Sequence, residues 1–459
     1  MILTWIHCSI RLSWWKYSRR PPRLMIAGGS SNITSRSIRS GNMCWCLAIG
    51  FIRHMGLMGD GKLLFLTRFV RLFSYGMLAV VLVLYLTSIG LSESQTGLLM
   101  TLTLAGDTAI SLILTTQADR IGRRRMLIAG SVLMAGAGLA FALTNNFTML
   151  LVAGTIGVIS PSGNEVGPFL PIEQAALSEI VSAQKRTAVF AWYALTGALA
   201  TAVGSLAGGL LTTALQHSSM TAVASRRTVV SLYAAMGLVL ALVFSRLSAG
   251  AERQSAPASE GMTRLLGIGR SRPIVLRLSG LFALDAFGGG FVVQSFVAYW
   301  FYLRFGVSSA ALGGIFFGAN LFAGISALIA PKIAERIGLV RTMVFTHLPS
   351  NVLLILVPLM PTLRLAILVL LTRFSISQMD VPTRQSYTIA IVGPDERSAA
   401  AGITGVARTT GAAVAPVFAG LLFSHPTLID WPFYIAGTLK ITYDLLLYRA
   451  FVRLRPPEE

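Results

Sequence analysis

From residue 63 onward, apolar runs of helix-spanning length alternate with short polar or charged interruptions. About 20 apolar residues wound as a helix cross the roughly 30 Å hydrocarbon layer of a bilayer. Read against the interruptions, the pattern predicts spans at 63–88, 95–117, 126–143, 148–180, 187–214, 228–246, 274–303, 310–331, 341–360, 364–391, 398–423 and 430–450. The fourth is too long for one straight helix, and its "SPSGNEVGPFLP" at 160–171 holds the Pro and Gly residues that break or kink a helix. It is read as one discontinuous span. The expectation is an all-α polytopic membrane protein with twelve transmembrane helices.

Composition excludes the soluble alternative. Of 459 residues, 54% are apolar and only 12% charged, giving a mean hydropathy of +0.70, more apolar surface than a water-facing exterior can hide. The net charge of +20 would suggest nucleic acid in a soluble chain, but its placement argues for topology. Segments on one side hold Arg120, Arg123, Arg124, Arg125, Lys185, Arg186, Arg246, Arg272, Lys332, Arg336, Arg341, Arg397 and Arg449, whereas the other side holds Arg226, Arg227, Arg304 and Arg364. The positive-inside rule then puts both termini in the cytoplasm. The expected setting is the plasma (inner) membrane, with a lipid bilayer and no nucleic acid as partner, and a monomer.

Residues 1–60 differ in kind: basic, without an acid before Asp60, and holding Cys8, Cys44 and Cys46, all the cysteines of the chain. They read as a poorly ordered extension upstream of a start at Met55 or Met58, or as a targeting leader of the Arg- and Ser-rich type. "GLMGDGKL" at 56–63 has the spacing of a phosphate-binding loop but offers Leu63 where Ser or Thr would reach magnesium, and no strand precedes it. Nucleotide binding is rejected there.

The chain is internally doubled. "ADRIG" at 118–122 returns as "AERIG" at 334–338, a displacement of 216 that also aligns Gly90 with Gly306, Ser92 with Ser308 and Gly97 with Gly313. A second block, displaced by 211, aligns "PIEQ" at 171–174 with "PTRQ" at 382–385 and "GGLL" at 208–211 with "AGLL" at 419–422. The change of displacement falls in the elongated fourth span. The expected organisation is an extension at 1–60, a six-helix bundle at 61–247, a cytoplasmic linker at 248–273, a second bundle at 274–452 and a tail at 453–459.

Two six-helix halves, a central loop and "DRIGRRR" between spans two and three resemble the major facilitator superfamily. Its loop pattern, Gly-x-x-x-Asp-Arg-x-Gly-Arg-Arg/Lys, is matched at Asp119, Arg120, Gly122, Arg123 and Arg124, with Thr115 in place of the opening Gly. The resemblance covers roughly 63–450 and implies two pseudo-symmetric bundles and a gating role for Asp119, Arg120 and Arg123. Arg residues alone would anchor the loop; an Asp can also meet a helix N-terminus and a nearby Arg, contacts that break on opening. The second copy keeps Glu335, Arg336, Gly338 and Arg341 but fewer basic residues, so its latch should be weaker.

Charges inside a bilayer are costly and mark function by default. Candidate substrate or proton-coupling residues are Asp107, Glu165, Glu173 and its neighbour Gln174, Asp285, Asp380, Arg384 and its neighbour Gln385, and Arg408. Glu173 and Arg384 occupy equivalent repeat positions near the midplane, where repeat-built transporters place their sites. The alternative is a static ion pair locking the halves, with Arg68, Arg71 and Arg373 reaching toward the interfaces. His347 reads as a proton relay or as a hydrogen-bonded packing residue.

"GSLAGG" at 204–209 resembles the family's antiporter motif Gly-Pro-x-x-Gly-Gly, with Ser205 replacing Pro; Gly204, Gly208 and Gly209 match it, and the equivalent stretch of span eleven carries Pro416. Ordinary small-residue helix packing explains the same pattern. The resulting expectation is proton-coupled export of a small molecule by alternating access. The alternatives are proton-coupled import of an organic solute and a non-transporting receptor. No nucleophile–base pair, Cys/His cluster or metal motif supports an enzyme, a catalytic residue, a metal or a cofactor.

Overall fold

The computed structural model describes residues 59–165, 167–181, 186–248, 271–393 and 396–454, apart from the side chains of Asp119, Thr187, Ala188 and Ser398. The cysteines, the phosphate-loop-like stretch before Gly59, most of the linker and the end of the tail lie outside them.

Helices α1 (Gly59–Ser88), α2 (Glu93–Ile121), α3 (Arg123–Leu143), α4 (Phe147–Ile156), α5 (Phe169–Ile180), α6 (Arg186–His217) and α7 (Ala222–Phe244) form the first half. The second comprises α8 (Arg272–Gly290), α9 (Gln294–Phe305), α10 (Ser309–Ile337), α11 (Leu339–Leu356), α12 (Leu363–Ser377), α13 (Asp380–Ala390), α14 (Arg397–Phe423) and α15 (Trp431–Phe451). Among the described residues, ten segments are long and apolar enough to cross a membrane. The remaining two of the twelve crossings are the fourth, split into α4 and α5, and the twelfth, α15, with Lys440 and Asp444 inside it.

The doubling reappears in the packing. Spans one and five (α1 and α6) make one of the largest contacts, as do their equivalents seven and eleven (α8 and α14); α3 against α7 is matched by α11 against α15. Local signals repeat too. Ser92 caps α2 by accepting from the Gln95 N–H at 3.1 Å, with the Gln95 side chain returning the bond at 3.0 Å, and Ser308 caps α10. Reciprocal bonds of this kind satisfy the free donors of a first turn. Gly122 and Gly338, single residues between helices, take φ of +113° and +87°, where a Cβ would clash with the backbone.

Among the described residues, three crossings are broken. The fourth is non-helical over 157–165 and 167–168, and side chains satisfy its carbonyls, as lipid demands. Tyr233 donates to Val158 O at 2.5 Å, Thr201 to Gly163 O at 3.3 Å and Ser160 to Asn164 O at 2.7 Å. The seventh breaks at 291–293 and the tenth at 378–379.

Candidate functional site

One end of the bundle, here the upper end, carries connections 89–92, 218–221, 306–308 and 424–430; the lower end carries Gly122 and Gly338. The halves are seamed toward the upper end. A Cβ on Gly97 would lie 2.5 Å from Pro416 O and 2.8 Å from the Gly420 Cα, and one on Gly209 would lie 2.2 Å from Ser309 O and 2.9 Å from the Gly313 Cα. The first pair joins α2 to α14, the second α6 to α10. Hydrogen bonds reinforce them: Ser94 with Ser424 at 2.7 Å, Tyr299 to Glu93 at 2.7 Å, and the Ala310 N–H to Thr213 at 3.0 Å. Toward the lower end the same helices expose Gln117, Arg120, Pro331, Lys332, Ala401 and Gly402.

Between these ends each half buries a charge cluster. In the first, α1 supplies Arg68 and Arg71, the broken segment Glu165, and α5 Glu173. Arg71 bonds Glu173 through both Nη atoms at 2.7 Å and Glu165 at 2.6 and 3.0 Å. Arg68 bonds Glu165 at 3.0 Å and the Tyr193 carbonyl at 2.6 Å. The Tyr193 hydroxyl and Thr67 both donate to Glu173, while Arg71 lies over the Phe169 ring and Arg68 over Tyr193. Two guanidiniums meet two carboxylates, with bidentate bonds, the geometry that offsets desolvation of a buried pair.

In the second half, Asp285 of α8 accepts from Lys440 of α15 at 2.6 Å and lies 3.5 Å from Arg384. Arg384 bonds Asp380, one turn earlier on α13, at 2.6 Å. His347 stands between two acids, Nδ1 2.9 Å from Asp444 and Nε2 3.7 Å from Asp285. Asn351 donates to the other Asp444 oxygen at 2.9 Å. The imidazole thus bridges α8 and α15 through its two nitrogens. Arg373 and Arg408 lie within electrostatic reach of Asp285 and Asp380; each has a buried Nε without a hydrogen-bond partner.

Glu173 and Arg384, equivalent in the repeat, therefore pair inside their own halves, not with each other. Asp107 is buried on α2 with Oδ1 unpartnered, its surroundings being Glu165 and the Gly167 amide. Gln174 is half-buried and Gln385 exposed, and neither enters the clusters' hydrogen bonds. At the lower end Arg123 is buried, 3.6 Å from Glu179, whereas Glu335, Arg336 and Arg341 are exposed; the side chain of Asp119 lies outside the described residues. Gly204 and Gly208 bring α6 against Phe73 and Met77 of α1.

Sequence reasoning passed over the pairing roles of Arg68, Arg71, Tyr193, Lys440, Asp444 and Asn351. Lys440 and Asp444 lie inside the predicted twelfth span, so the rule applied to other intramembrane charges would have found them. A groove of about 730 Å³ between α3 and α4, lined by residues such as Val132, Leu143 and Met149, carries no charge and stands apart from both clusters.

The Major Facilitator Superfamily model matches residues 64–379 and 305–459. An uncharacterized membrane protein of Saccharomyces cerevisiae, YJR124C, is 32% identical over 434 residues, covering 88% of this chain and 96% of that one. A shorter similarity, 26% over 129 residues, covers 28% of this chain and 32% of the quinolone resistance protein NorA of Staphylococcus aureus. Among solved structures, a bacterial homolog of the human lysosomal transporter Spinster, inward-facing and occupied, aligns with a TM-score of 0.68 at 17% identity, over 86% of this chain and 97% of that one.

Proposed function

Because the chain belongs to the Major Facilitator Superfamily, we propose that this multi-pass membrane protein exports a small molecule in exchange for protons by alternating access. The observation that carries the reading is the pair of buried charge clusters, one in each half, below a seam built from small residues. Packed halves that meet through glycines can rock about that seam, and each cluster moves with its own half because its ion pairs stay within it.

The basic loops favour a cytoplasmic lower end. With the seam at the upper end, the halves would then part toward the cytoplasm, the loading state of an exporter. Export is favoured by the antiporter-like Gly204, Gly208 and Gly209 and by the segment shared with a quinolone resistance protein. Asp107 is the best candidate for the coupling proton, a buried carboxylate with no ion-pair partner among the described residues. Asp119, Arg120, Arg123 and Arg124, with Glu335, Arg336 and Arg341, would close the lower face in the alternate state.

Proteoliposomes provide the test. Substrate efflux should collapse when an imposed proton gradient is dissipated, and Asp107→Asn should abolish the gradient dependence while the protein still folds. Gradient-independent export by the wild type would refute proton coupling, and accumulation in the direction of proton entry would reverse the assigned direction.

A further inference from the structure

The internal repeat allows the two halves to be compared side chain by side chain at one slot. Gly197 on α6 and Arg408 on α14 are equivalent at the displacement of 211 that relates 171–211 to 382–422. A Cβ on Gly197 would lie 2.8 Å from both Nε and Nη2 of Arg68. In the first half, then, the slot is filled from the neighbouring helix by a guanidinium, and that guanidinium is answered by the Glu165 carboxylate at 3.0 Å.

In the second half the cation comes from α14 itself, and no carboxylate answers it. Arg408 makes no hydrogen bond or ion pair among the described residues, and its Nε is shut off from solvent. The acids within electrostatic reach, Asp285 and Asp380, are already bonded to Lys440 and Arg384. Among the described residues Arg373 likewise makes no ion pair, and it lies over the ring of Phe374. Four cations stand around three carboxylates there, Asp444 being held by His347 and Asn351. The structural reason is visible in the fourth span: Glu165 sits on the non-helical stretch 157–165, whereas the break in the tenth covers only 378–379. The loop that supplies the answering acid in one half has no counterpart of its length in the other.

Arg408 is half-buried, with its Nε shut off from solvent and unpartnered, and a guanidinium partly stripped of water keeps its demand for an anion. We infer that Arg408, assisted by Arg373, forms an anion subsite in the second half that receives the carboxylate or phosphate of a small organic substrate, in the part Glu165 plays for Arg68. The inference rests on the transport reading only in calling the anion a substrate. A carboxylate and a phosphate monoester both present the oxygen pair that a guanidinium binds with two parallel bonds.

The test is ligand-dependent thermal unfolding of the purified full chain with benzoate, phenyl phosphate, benzyl alcohol and benzylamine. Benzoate or phenyl phosphate should stabilise the protein saturably, since a ligand bound only by the folded state raises its apparent stability, and the isosteric alcohol and amine should not. Comparison of the two anions tells which oxygen group fits. Arg408→Gln should weaken anion binding about tenfold or more, the size of one lost charged hydrogen bond, and Arg408→Lys should weaken it less. Equal stabilisation by benzyl alcohol, no stabilisation by either anion, or undiminished binding in Arg408→Gln would overturn the subsite. Anion stabilisation without flux of that anion in proteoliposomes would leave the subsite standing and remove the transport reading. Flux of neutral or cationic compounds together with no stabilisation by either anion would remove the subsite and leave the transport reading standing.

Discussion

The two charge clusters come from one repeated plan and solve different problems. In the first half, Arg68 and Arg71 are matched by Glu165 and Glu173, and every guanidinium is held by at least two bonds. In the second, Arg384 and Lys440 use up Asp380 and Asp285, while Arg373 and Arg408 make no ion pair among the described residues. A matched cluster ties helices together; a mismatched one stores binding capacity for something outside the chain. The difference is sharpest in substitutions of equal chemistry. Arg71→Gln leaves two carboxylates buried without their cation, and breaking a buried pair this way costs about 3–5 kcal/mol. Arg408→Gln removes a charge that no acid holds, so it should leave stability unchanged or raise it. Thermal unfolding of the two purified variants decides the matter, and comparable losses in both would end the distinction.

The seams differ as well. Gly97 meets Pro416 and Gly420 across α2 and α14, whereas Gly209 meets Ser309 and Gly313 across α6 and α10 at still closer range. Leucine at Gly209 has no free space, and overpacking of this kind costs about 1–3 kcal/mol. That energy is recovered if the seam parts, so Gly209→Leu should favour the state open at the upper end. A reporter cysteine at Ser424, in a chain whose own cysteines are replaced, should then react faster with an impermeant maleimide. An unaltered labelling rate would mean that the seam tolerates the side chain without moving. Gly97→Leu should act in the same direction and more weakly, its nearest backbone atom being farther from the added carbon.

Much of this plan is legible in the sequence because bilayer insertion imposes simple rules. Apolar run lengths give the spans, "SPSGNEVGPFLP" gives the break in the fourth, and the paired loops Gly122 and Gly338 give the doubling. Glycines aligned by the repeat, Gly97 with Gly313, turn out to face Gly420 and Gly209, themselves equivalent, in the two seams. What the repeat conceals is who pairs with whom. It relates Glu173 to Arg384 as equivalents near the midplane but does not say whether they meet, as the alternative of an ion pair locking the halves would require; packing gives Glu173 a partner 102 residues earlier on α1. The breaks at 291–293 and 378–379 were missed because neither interrupts the apolar run with the Pro and Gly density of the fourth span. Arg68 and Arg71 were set near a membrane edge by counting from the span start, although α1 is buried along most of its length.

The smallest contrast concerns Ser205, which stands where the family's antiporter motif has proline and Pro416 stands in the equivalent span. The Ser205 hydroxyl bonds the Thr201 carbonyl at 2.9 Å and takes hydrogen bonds from Gln294 at 3.2 Å and Asn320 at 3.4 Å, while Asn320 also donates to Gln294 Oε1 at 3.1 Å. Proline would remove that hydroxyl, so in this chain the position links the first half to α9 and α10 of the second, where a proline would only bend the helix. Interhelical hydrogen bonds in membranes average about 0.6 kcal/mol, so Ser205→Ala should lower the unfolding temperature slightly and shift the conformational balance in the same sense as Gly209→Leu, by less. Its mirror, Pro416→Ala, leaves the Val417 N–H bonded to Thr101 at 2.9 Å and should move the balance less still. If Pro416→Ala proves the more disruptive of the two, the seam is governed by helix bending and not by the Ser205–Gln294–Asn320 bonds.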